Sequence, residues 1–261
     1  MNGIIEIGFV QLALTYVFLL LLLLMVRKQG VGREKEILLA SFRMTLQLVL
    51  VGFILAFIFD AGHMAYTLLA LVIMEFFAVR NIFSRLKVYV PPSLRRVIIT
   101  SMLAGTLGSV LFFLVAVINL QPWYDARYFI PIAGMIIGNS MTGITLGADR
   151  LLDGMKNQRH LVEGALMLGA PPDIAVRTIV NDSFTAAILP TINSMMGMGI
   201  VFLPGMMTGQ IIAGISPITA IEYQIAIMMG ILGSVSLTVF LLVRYGSRSF
   251  FNNRSQFIPL K

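Results

Sequence analysis

Seven apolar segments constrain the fold of this chain more than any other feature of its sequence. A helix that crosses a bilayer needs about 20 mostly apolar residues. Only 12% of the 261 residues are charged, whereas a soluble domain has about 25%, so the chain cannot cover a water-exposed surface. We therefore predict an all-α, polytopic integral membrane protein with about seven transmembrane helices, in one membrane domain over residues 1–261. The predicted spans are 7–26, 37–59, 64–79, 97–119, 129–147, 183–203 and 219–243.

The distribution of basic residues predicts the orientation of these spans. Arg43 and Arg127 are the exceptions to a strong bias. The other 17 of the 19 Lys and Arg residues lie in segments that fall on one side, namely 27–36, 80–96, 148–182 and 244–261. Because basic segments are retained in the cytoplasm during insertion, we predict an outside N-terminus and a cytoplasmic C-terminus. The net charge of +7 is then an orientation signal, and we expect lipid, not nucleic acid, around the chain.

Several classes of site are excluded or disfavoured. The chain has no cysteine, which excludes disulfides, zinc-thiolate sites and iron–sulfur clusters. It has no G-x-x-x-x-G-K-[ST] sequence, so it holds no P-loop for a nucleotide. No cluster of His, Asp and Glu has metal-site spacing, so we predict no metal site of that kind and no catalytic residues. The first apolar segment follows no basic residue, which is the reverse of a signal peptide, and we predict a retained transmembrane helix.

The longest predicted cytoplasmic segment contains an interrupted amphipathic element, HLVEGALMLGAPPDIAVRTIV, at residues 160–180. Gly169 is a natural helix terminator because glycine adopts the left-handed cap conformation. Pro172 suits the first turn of a following helix, where its missing N–H costs nothing. We predict a helix, a sharp turn and a second helix that leads into the sixth span. The first helix either lies on the lipid headgroups or docks a cytoplasmic partner.

Polar and charged residues inside the predicted spans are energetically costly in a bilayer, so each is expected to have a structural or functional role. Arg43 and Gln47 lie four residues apart in the second span, and Glu75 lies in the third. Counting along both helices from the turn at residues 60–63 places them at similar depths. We therefore predict a contact between Arg43 and Glu75 that Gln47 bridges or flanks, either as a structural pair or as part of a substrate pathway.

The fifth and sixth spans carry the remaining candidate residues. In the fifth span, the small residues Gly134, Gly138, Gly143 and Gly147 predict close helix packing, within the chain or at a dimer interface. Met135, Asn139 and Thr142 share a neighbouring face, from which an amide oxygen can meet a passing cation. Asn193 and Ser194, after a kink expected at Pro190, offer similar ligands.

Two apolar segments leave alternatives open. Residues 204–218 are rich in glycine and too short to span twice, and they suit a re-entrant or outer-leaflet hairpin that neighbouring helices must support. Met195, Met196, Met198, Met206 and Met207 are bunched together. Thioethers bind Cu(I) well and Fe(II) poorly, whereas methionine more often fills gaps between helices.

The sequence E-G-A-x-x-x-G at Glu163–Gly169 resembles the coupling loop of ABC transporter permeases, through which an ATPase subunit moves the membrane helices. The resemblance implies that Glu163, Gly164, Ala165 and Gly169 couple the chain to an ATPase. The I-x-L-P element common after this loop is absent at its expected place, where Asn181 and Asp182 hold the last two positions, and an I-L-P sequence occurs only at 188–190.

A larger resemblance covers most of the chain. The blocks RMTLQL from Arg43, IPIAGMIIGNSM from Ile130, LGAPPDIA from Leu168 and FLPGMMTGQIIAGISPITAIEYQI from Phe202 are similar to FetB-type iron-export permeases, which are related to plant aluminium-tolerance proteins. This family implies a homodimeric permease in the bacterial inner membrane, paired with separate ATPase chains and exporting iron or a related metal. The chain itself would be no enzyme and bind no cofactor, with ATP on its partner. The alternatives are another substrate, such as a nucleotide sugar, or a secondary transporter without an ATPase.

Overall fold

The structure is a computed structural model that describes residues 7–86, 88–252 and 255–258. Lys87, Arg254 and Lys261, which contribute to the predicted orientation, lie outside the described residues. The chain forms two compact units, the first ending at Gly62 and the second beginning at His63. The single membrane domain stays a prediction.

Helices make up nearly all of the described residues, and no β-strand occurs among them. The α-helices are α1 (Phe9–Lys28), α2 (Glu34–Ala61), α3 (Met64–Arg85), α4 (Pro92–Phe112), α5 (Ala126–Asn157), α6 (Arg159–Met167), α7 (Pro172–Ala175), α8 (Arg177–Gly197), α9 (Gly205–Ile212) and α10 (Pro217–Gly246). A π-helical turn (Phe113–Val117) extends α4, and a 3-10 turn (Ser247–Phe250) extends α10. This agrees with the rule that a chain in lipid satisfies its backbone hydrogen bonds within helices.

Six helices are long and apolar enough to cross a membrane, which confirms the predicted all-α membrane fold. They are Phe9–Lys28, Glu34–Ala61, Met64–Arg85, Pro92–Val117, Ala126–Asn157 and Pro217–Phe250. The predicted sixth span, 183–203, falls on α8, which has 21 residues but is less apolar because its first turns contain Arg177, Asn181 and Asp182. A seventh crossing by α8, and the orientation that depends on it, stay predictions.

The first unit is a hairpin of α1 and α2. The hydroxyl groups of Tyr16 and Thr45 form a hydrogen bond between the two helices. Gly62, with a φ of 58°, ends α2 in the left-handed conformation and donates its N–H to the carbonyl of Ile58. Apolar side chains are exposed along both helices, as expected of a hairpin whose surroundings are lipid or other membrane helices.

The core of the second unit forms where α5 and α10 pack against α3, α4 and α8. Ile136, Ile144 and Leu151 are among the residues that α5 buries fully. Since lipid tails are as apolar as these side chains, such helices are held by close packing and not by exclusion of water. Small residues at the crossings are therefore the main determinants of how near the helices can lie.

Helix α5 extends well beyond the predicted span of 129–147. Its 32 residues correspond to about 48 Å at about 1.5 Å per residue, whereas the hydrocarbon core is about 30 Å thick. Its last turns, which contain Asp149, Arg150 and Asp153, therefore project beyond the apolar region. The hydropathy of the sequence therefore predicted the end of the apolar segment at residue 147. The helix itself continues to Asn157.

Helix α4 approaches α10 closely at Gly105. A Cβ atom on Gly105 would lie 2.2 Å from Thr238 Cγ2 and 3.0 Å from its Cα. Only glycine allows this separation, because real Cβ atoms do not approach backbone atoms so closely. Gly154 makes a similar contact from α5, where a Cβ would lie 2.5 Å from Ile179 Cγ2 on α8.

The four predicted packing glycines on α5 have different surroundings. A Cβ on Gly143 would lie 2.8 Å from Val235 Cγ1 of α10, and one on Gly147 would touch both α8 and α10. A Cβ on Gly134 would lie 3.2 Å from the terminal methyl of Met74, and one on Gly138 would meet no atom within 4 Å. Gly143 and Gly147 are thus buried inside the unit and cannot serve a dimer interface in this conformation, whereas Gly138 leaves room for a partner.

The segment 204–218 forms a short helix and a turn. Helix α9 has 8 residues, and Gly214, with a φ of 91°, reverses the chain before Pro217 begins α10. A helix this short cannot span a bilayer. Its helix-and-turn shape suits the predicted hairpin, whose depth in the membrane stays a prediction.

Candidate functional site

The interrupted amphipathic element folds as α6, a tight turn and α7. At the end of α6, Gly169 has a φ of 87° and donates its N–H to the carbonyl of Leu166, while Ala170 donates to the carbonyl of Ala165. This pair of bonds defines a Schellman cap, which requires the left-handed conformation that glycine supplies. Pro172 occupies the first turn of α7. The predicted helix, sharp turn and second helix are confirmed.

The turn between α6 and α7 presents apolar side chains to the surroundings of the chain. Val162 is buried, whereas Met167 is 87% exposed and Leu168 is 91% exposed. Leu161 and Ile174 are also exposed. Several large apolar side chains left exposed within one short element are a candidate interaction surface. We name Leu161, Met167, Leu168 and Ile174 the apolar turn surface.

A groove of about 760 Å³ runs beside this turn. One wall comes from α6 and the turn, including Glu163, Gly169 and Pro172, and the other comes from residues 255–257. Two contacts link the C-terminal segment to the element. The Arg159 guanidinium lies 5.8 Å from the centroid of the Phe257 ring, and Arg248 Nη2 lies 3.2 Å from Asp173 Oδ2.

The predicted coupling residues shape this groove in different ways. Glu163 lines it and forms an ion pair with Arg159 at 2.8 Å. An exposed pair of this kind contributes little stability, so its main effect is to hold both side chains in place. Ala165 and Gly169 build the cap described above, and Gly164 is half-buried in α6. Sequence reasoning missed the C-terminal wall, because nothing in the sequence indicates that residues 255–257 fold back.

Glu75 is the buried carboxylate of the second unit. Its side chain lies on α3 with the residue 4% exposed, and Thr106 Oγ1 on α4 donates a hydrogen bond of 2.5 Å to its Oε1. The other oxygen, Oε2, is buried and has no hydrogen-bond partner among the described residues of this unit. Leaving a buried polar atom unpaired costs about 1–3 kcal/mol, and more for a charged group, so Oε2 is the costly, unsatisfied atom of this side chain.

Arg43 and Gln47 lie one turn apart on α2, in the first unit. Their predicted contact with Glu75 would join the two units and stays a prediction. Within the second unit, the described partner of Glu75 is Thr106, which the sequence did not indicate. Its position 31 residues further along the chain becomes adjacent only when α3 and α4 pack together.

The candidate residues of α5 and α8 lie on the outside of the unit or near it. Asn139 is exposed and donates its amide N–H to the carbonyl of Met135 at 2.8 Å, so its oxygen remains an acceptor. Thr142 bonds to the carbonyl of Gly138 at 3.1 Å. Asn193 and Ser194 are exposed on α8, with Ser194 bonded to the carbonyl of Pro190. These residues do not form one closed site with the buried Glu75, and their role in a pathway stays a prediction.

A hydroxyl contact at the centre of the unit was also missed. Ser140 on α5 and Ser234 on α10 are fully buried, and their Oγ atoms lie 2.9 Å apart. Side-chain hydrogen bonds between membrane helices contribute about 0.6 kcal/mol on average. Single serines in apolar segments are too common in membrane helices to predict such a pair from sequence.

Taken together, the helices define a multi-pass membrane protein with a protruding apolar turn and a buried, half-satisfied carboxylate. The chain belongs to the family described as Uncharacterised protein family (UPF0014), whose model matches residues 9–251. The predicted family resemblance is confirmed.

Curated relatives cover nearly the whole chain. The probable iron export permease protein FetB of Escherichia coli (strain K12) is 33% identical over 248 residues, which is 95% of this chain and 94% of the relative. The UPF0014 membrane protein YjkA of Bacillus subtilis (strain 168) is 32% identical, covering 90% of this chain and 92% of the relative. The protein ALUMINUM SENSITIVE 3 of Arabidopsis thaliana is 36% identical, covering 88% of this chain and 83% of the relative. No solved structure matches the chain.

Proposed function

We propose that this chain is the permease subunit of an ATP-driven ABC exporter of iron or a related metal ion, in the bacterial inner membrane. The observation that carries the proposal is the apolar turn surface on α6 and α7, which is amphipathic, protrudes from the helices and leads directly into α8. The similarity to the probable iron export permease protein FetB of Escherichia coli supports iron as the cargo. The chain is then a transport subunit, and a separate chain hydrolyses ATP.

The apolar turn surface docks this ATPase. Two subunits that must stay associated through a transport cycle need an apolar contact that is buried on binding. Met167 and Leu168 supply such a contact because almost none of their surface is buried within the chain. The cap at Gly169 holds the turn rigid, so that a push on α6 passes through α7 to α8 instead of bending the turn.

Movement of α8 relative to α5 and α10 opens the pathway in this proposal. Helix α8 packs on both, and its Pro190 lacks the N–H that would bond the carbonyl of Ala186, so the helix is weakest there. Two copies of the chain, each with its ATPase, would alternate between inward-open and outward-open states. An exporter needs only weak binding of its cargo.

Glu75 is the proposed contact for the metal ion on its way through the membrane. Carboxylate oxygen is a hard ligand that suits divalent cations, and Oε2 is the buried oxygen that lacks a partner. An ionisable residue inside the membrane is costly and is by default a candidate for a functional site. Thr106 fixes Oε1 and thereby leaves Oε2 as the acceptor that the ion would meet.

The ATPase activity of the co-purified complex in liposomes tests this proposal. We expect Fe(II) on the ATPase side to stimulate hydrolysis, and Mg(II) and Ca(II) beyond the amount that ATP requires to have no such effect. In Glu75→Gln, which keeps the shape and the contact with Thr106 but removes the charge, the complex should persist while stimulation falls about tenfold or more.

Three outcomes would each contradict a different part of the proposal: the ATPase partner, the cargo or the role of Glu75. Failure to capture any ATPase would contradict the ABC assignment and favour the alternative, a secondary transporter. A stable complex whose ATPase activity does not respond to iron would support the ATPase partner and contradict iron as the cargo. Full stimulation in Glu75→Gln, combined with a lower thermal stability, would make Glu75 a structural residue.

A further inference from the structure

A cavity of about 400 Å³ lies between the end of α8, helix α9 and the first turns of α10. Five of its ten lining residues are methionines, which come from different parts of the chain: Met195, Met198, Met207, Met228 and Met229. Met207 and Met228 are buried, and Met195 and Met198 are half-buried. We name this space the methionine cavity.

The cavity is not explained by methionine acting as a flexible filler. Methionine adapts its three rotatable bonds to close irregular gaps. This space opens to the surroundings of the chain beside Leu203, Ile225 and Met229, which are 50%, 58% and 50% exposed. Here five flexible side chains surround a space that they leave open. Met196, which belongs to the same cluster in the sequence, is 77% exposed and does not line the cavity. Only some of the methionines that are clustered in the sequence therefore line the cavity.

One sulfur atom is held in position by a hydrogen bond. Gln224 lies on α10, is buried and lines the cavity, and its Nε2 donates to Met198 Sδ at 3.8 Å. The contact joins the segment after α8 to α10 and fixes the Met198 thioether at the cavity wall. A thioether is only a weak acceptor, so a buried amide directed at it orients the side chain more than it stabilises the fold.

The lining atoms determine which kind of ligand the cavity can bind. None of the ten lining residues carries a charge, and half of them offer a thioether. Soft thioether sulfur prefers soft cations such as Cu(I), whereas Mg(II), Ca(II) and Mn(II) prefer oxygen ligands. A neutral set of ligands also leaves the full charge of the ion uncompensated, which in an apolar site favours a monovalent over a divalent cation.

We propose that the methionine cavity is a binding site for a soft monovalent cation, Cu(I) or its redox-inert analogue Ag(I), with sulfur atoms of Met198, Met207 and neighbouring methionines as ligands. This site is distinct from Glu75, whose oxygen suits a hard divalent cation, and it does not depend on the proposed export of iron.

Equilibrium dialysis of the full chain in nanodiscs against Ag(I), in chloride-free buffer, tests the proposal. We expect one saturable Ag(I) per chain. The double variant Met198→Leu with Met207→Leu keeps the apolar volume and removes two sulfur ligands. Because loss of even an outer-shell partner lowers metal affinity about 10–100-fold, the affinity should fall by at least about tenfold.

A matched control and an independent measurement keep the result interpretable. The double variant Met167→Leu with Met196→Leu changes two exposed methionines and should bind Ag(I) like the unmodified chain. In the unmodified chain, NMR of isotope-labelled methionine methyl groups should show Ag(I) shifting the signals of Met198 and Met207 before those of Met167 and Met196. The absence of a saturable site, equal binding by the cavity variant, an equal loss in the control, or earlier shifts at the exposed methionines would each overturn the proposal.

Discussion

Replacing Met167 and Leu168 together with serine will abolish capture of the proposed ATPase partner without changing the stability of the chain. Both side chains are almost fully exposed, so the folded chain loses no internal packing. Burying a large apolar side chain is favourable by about 1.5–3 kcal/mol. Losing two such contacts should weaken binding of the ATPase by about 100-fold or more. Co-purification of the ATPase, combined with thermal unfolding of the isolated permease, measures both expectations.

The chain offers a matched control at the opposite end of α8. Ile200 is 92% exposed and Val201 is 81% exposed, and the predicted orientation places both outside the cytoplasm. Replacing this pair with serine should leave capture of the ATPase intact. Binding of the ATPase at the unmodified level by the Met167 and Leu168 variant would remove the docking role from the turn. An equal loss in both variants would also contradict it, because the effect would not be specific to the turn.

The variant Gly105→Ala should lower the stability of the chain more than any other single methyl addition on α4. The added Cβ would lie 3.0 Å from the backbone Cα of Thr238, so rotation of a side chain cannot relieve the clash and α4 must move away from α10. Overpacking of this kind costs about 1–3 kcal/mol. Thermal unfolding in detergent should show a clear decrease in Tm.

Gly108→Ala is the control for this prediction. Gly108 lies one turn further along α4, and a Cβ there would meet no atom within 4 Å. Since alanine is a better helix former than glycine by about 1 kcal/mol, the Tm of Gly108→Ala should stay the same or rise. An equal decrease in both variants would contradict the prediction, because helix propensity alone would raise both Tm values and the loss would not be specific to the contact with α10.

The elements that were predictable from sequence depend on local properties of the chain. Long apolar segments identified the helices because lipid forces the backbone to bond internally. The turn between α6 and α7 was predictable because Gly169 and Pro172 each act within one helical turn. The ends of helices that extend beyond the membrane were not predictable. Helix α5, for example, continues to Asn157 through polar residues that hydropathy does not assign to a span.

The features that were missed depend on contacts between distant segments. The bond between Glu75 and Thr106 requires the packing of α3 on α4, and the close approach at Gly105 requires α10. Likewise, the sequence shows a cluster of methionines, but only the fold separates Met196 from the ones that line a cavity. A single sequence shows the residues of such sites but does not show which of them contact each other in the fold.

ATP-driven movement of iron in sealed inside-out membrane vesicles is the most direct test of the central claim. Vesicles that contain this chain together with its ATPase should accumulate radioactive Fe(II) when ATP is added outside, because the cytoplasmic face then points outward. Accumulation should stop when the ATPase is omitted or when the apolar turn surface carries the serine variant. Iron uptake that continues without ATPase or ATP would contradict the account and identify the chain as a secondary transporter.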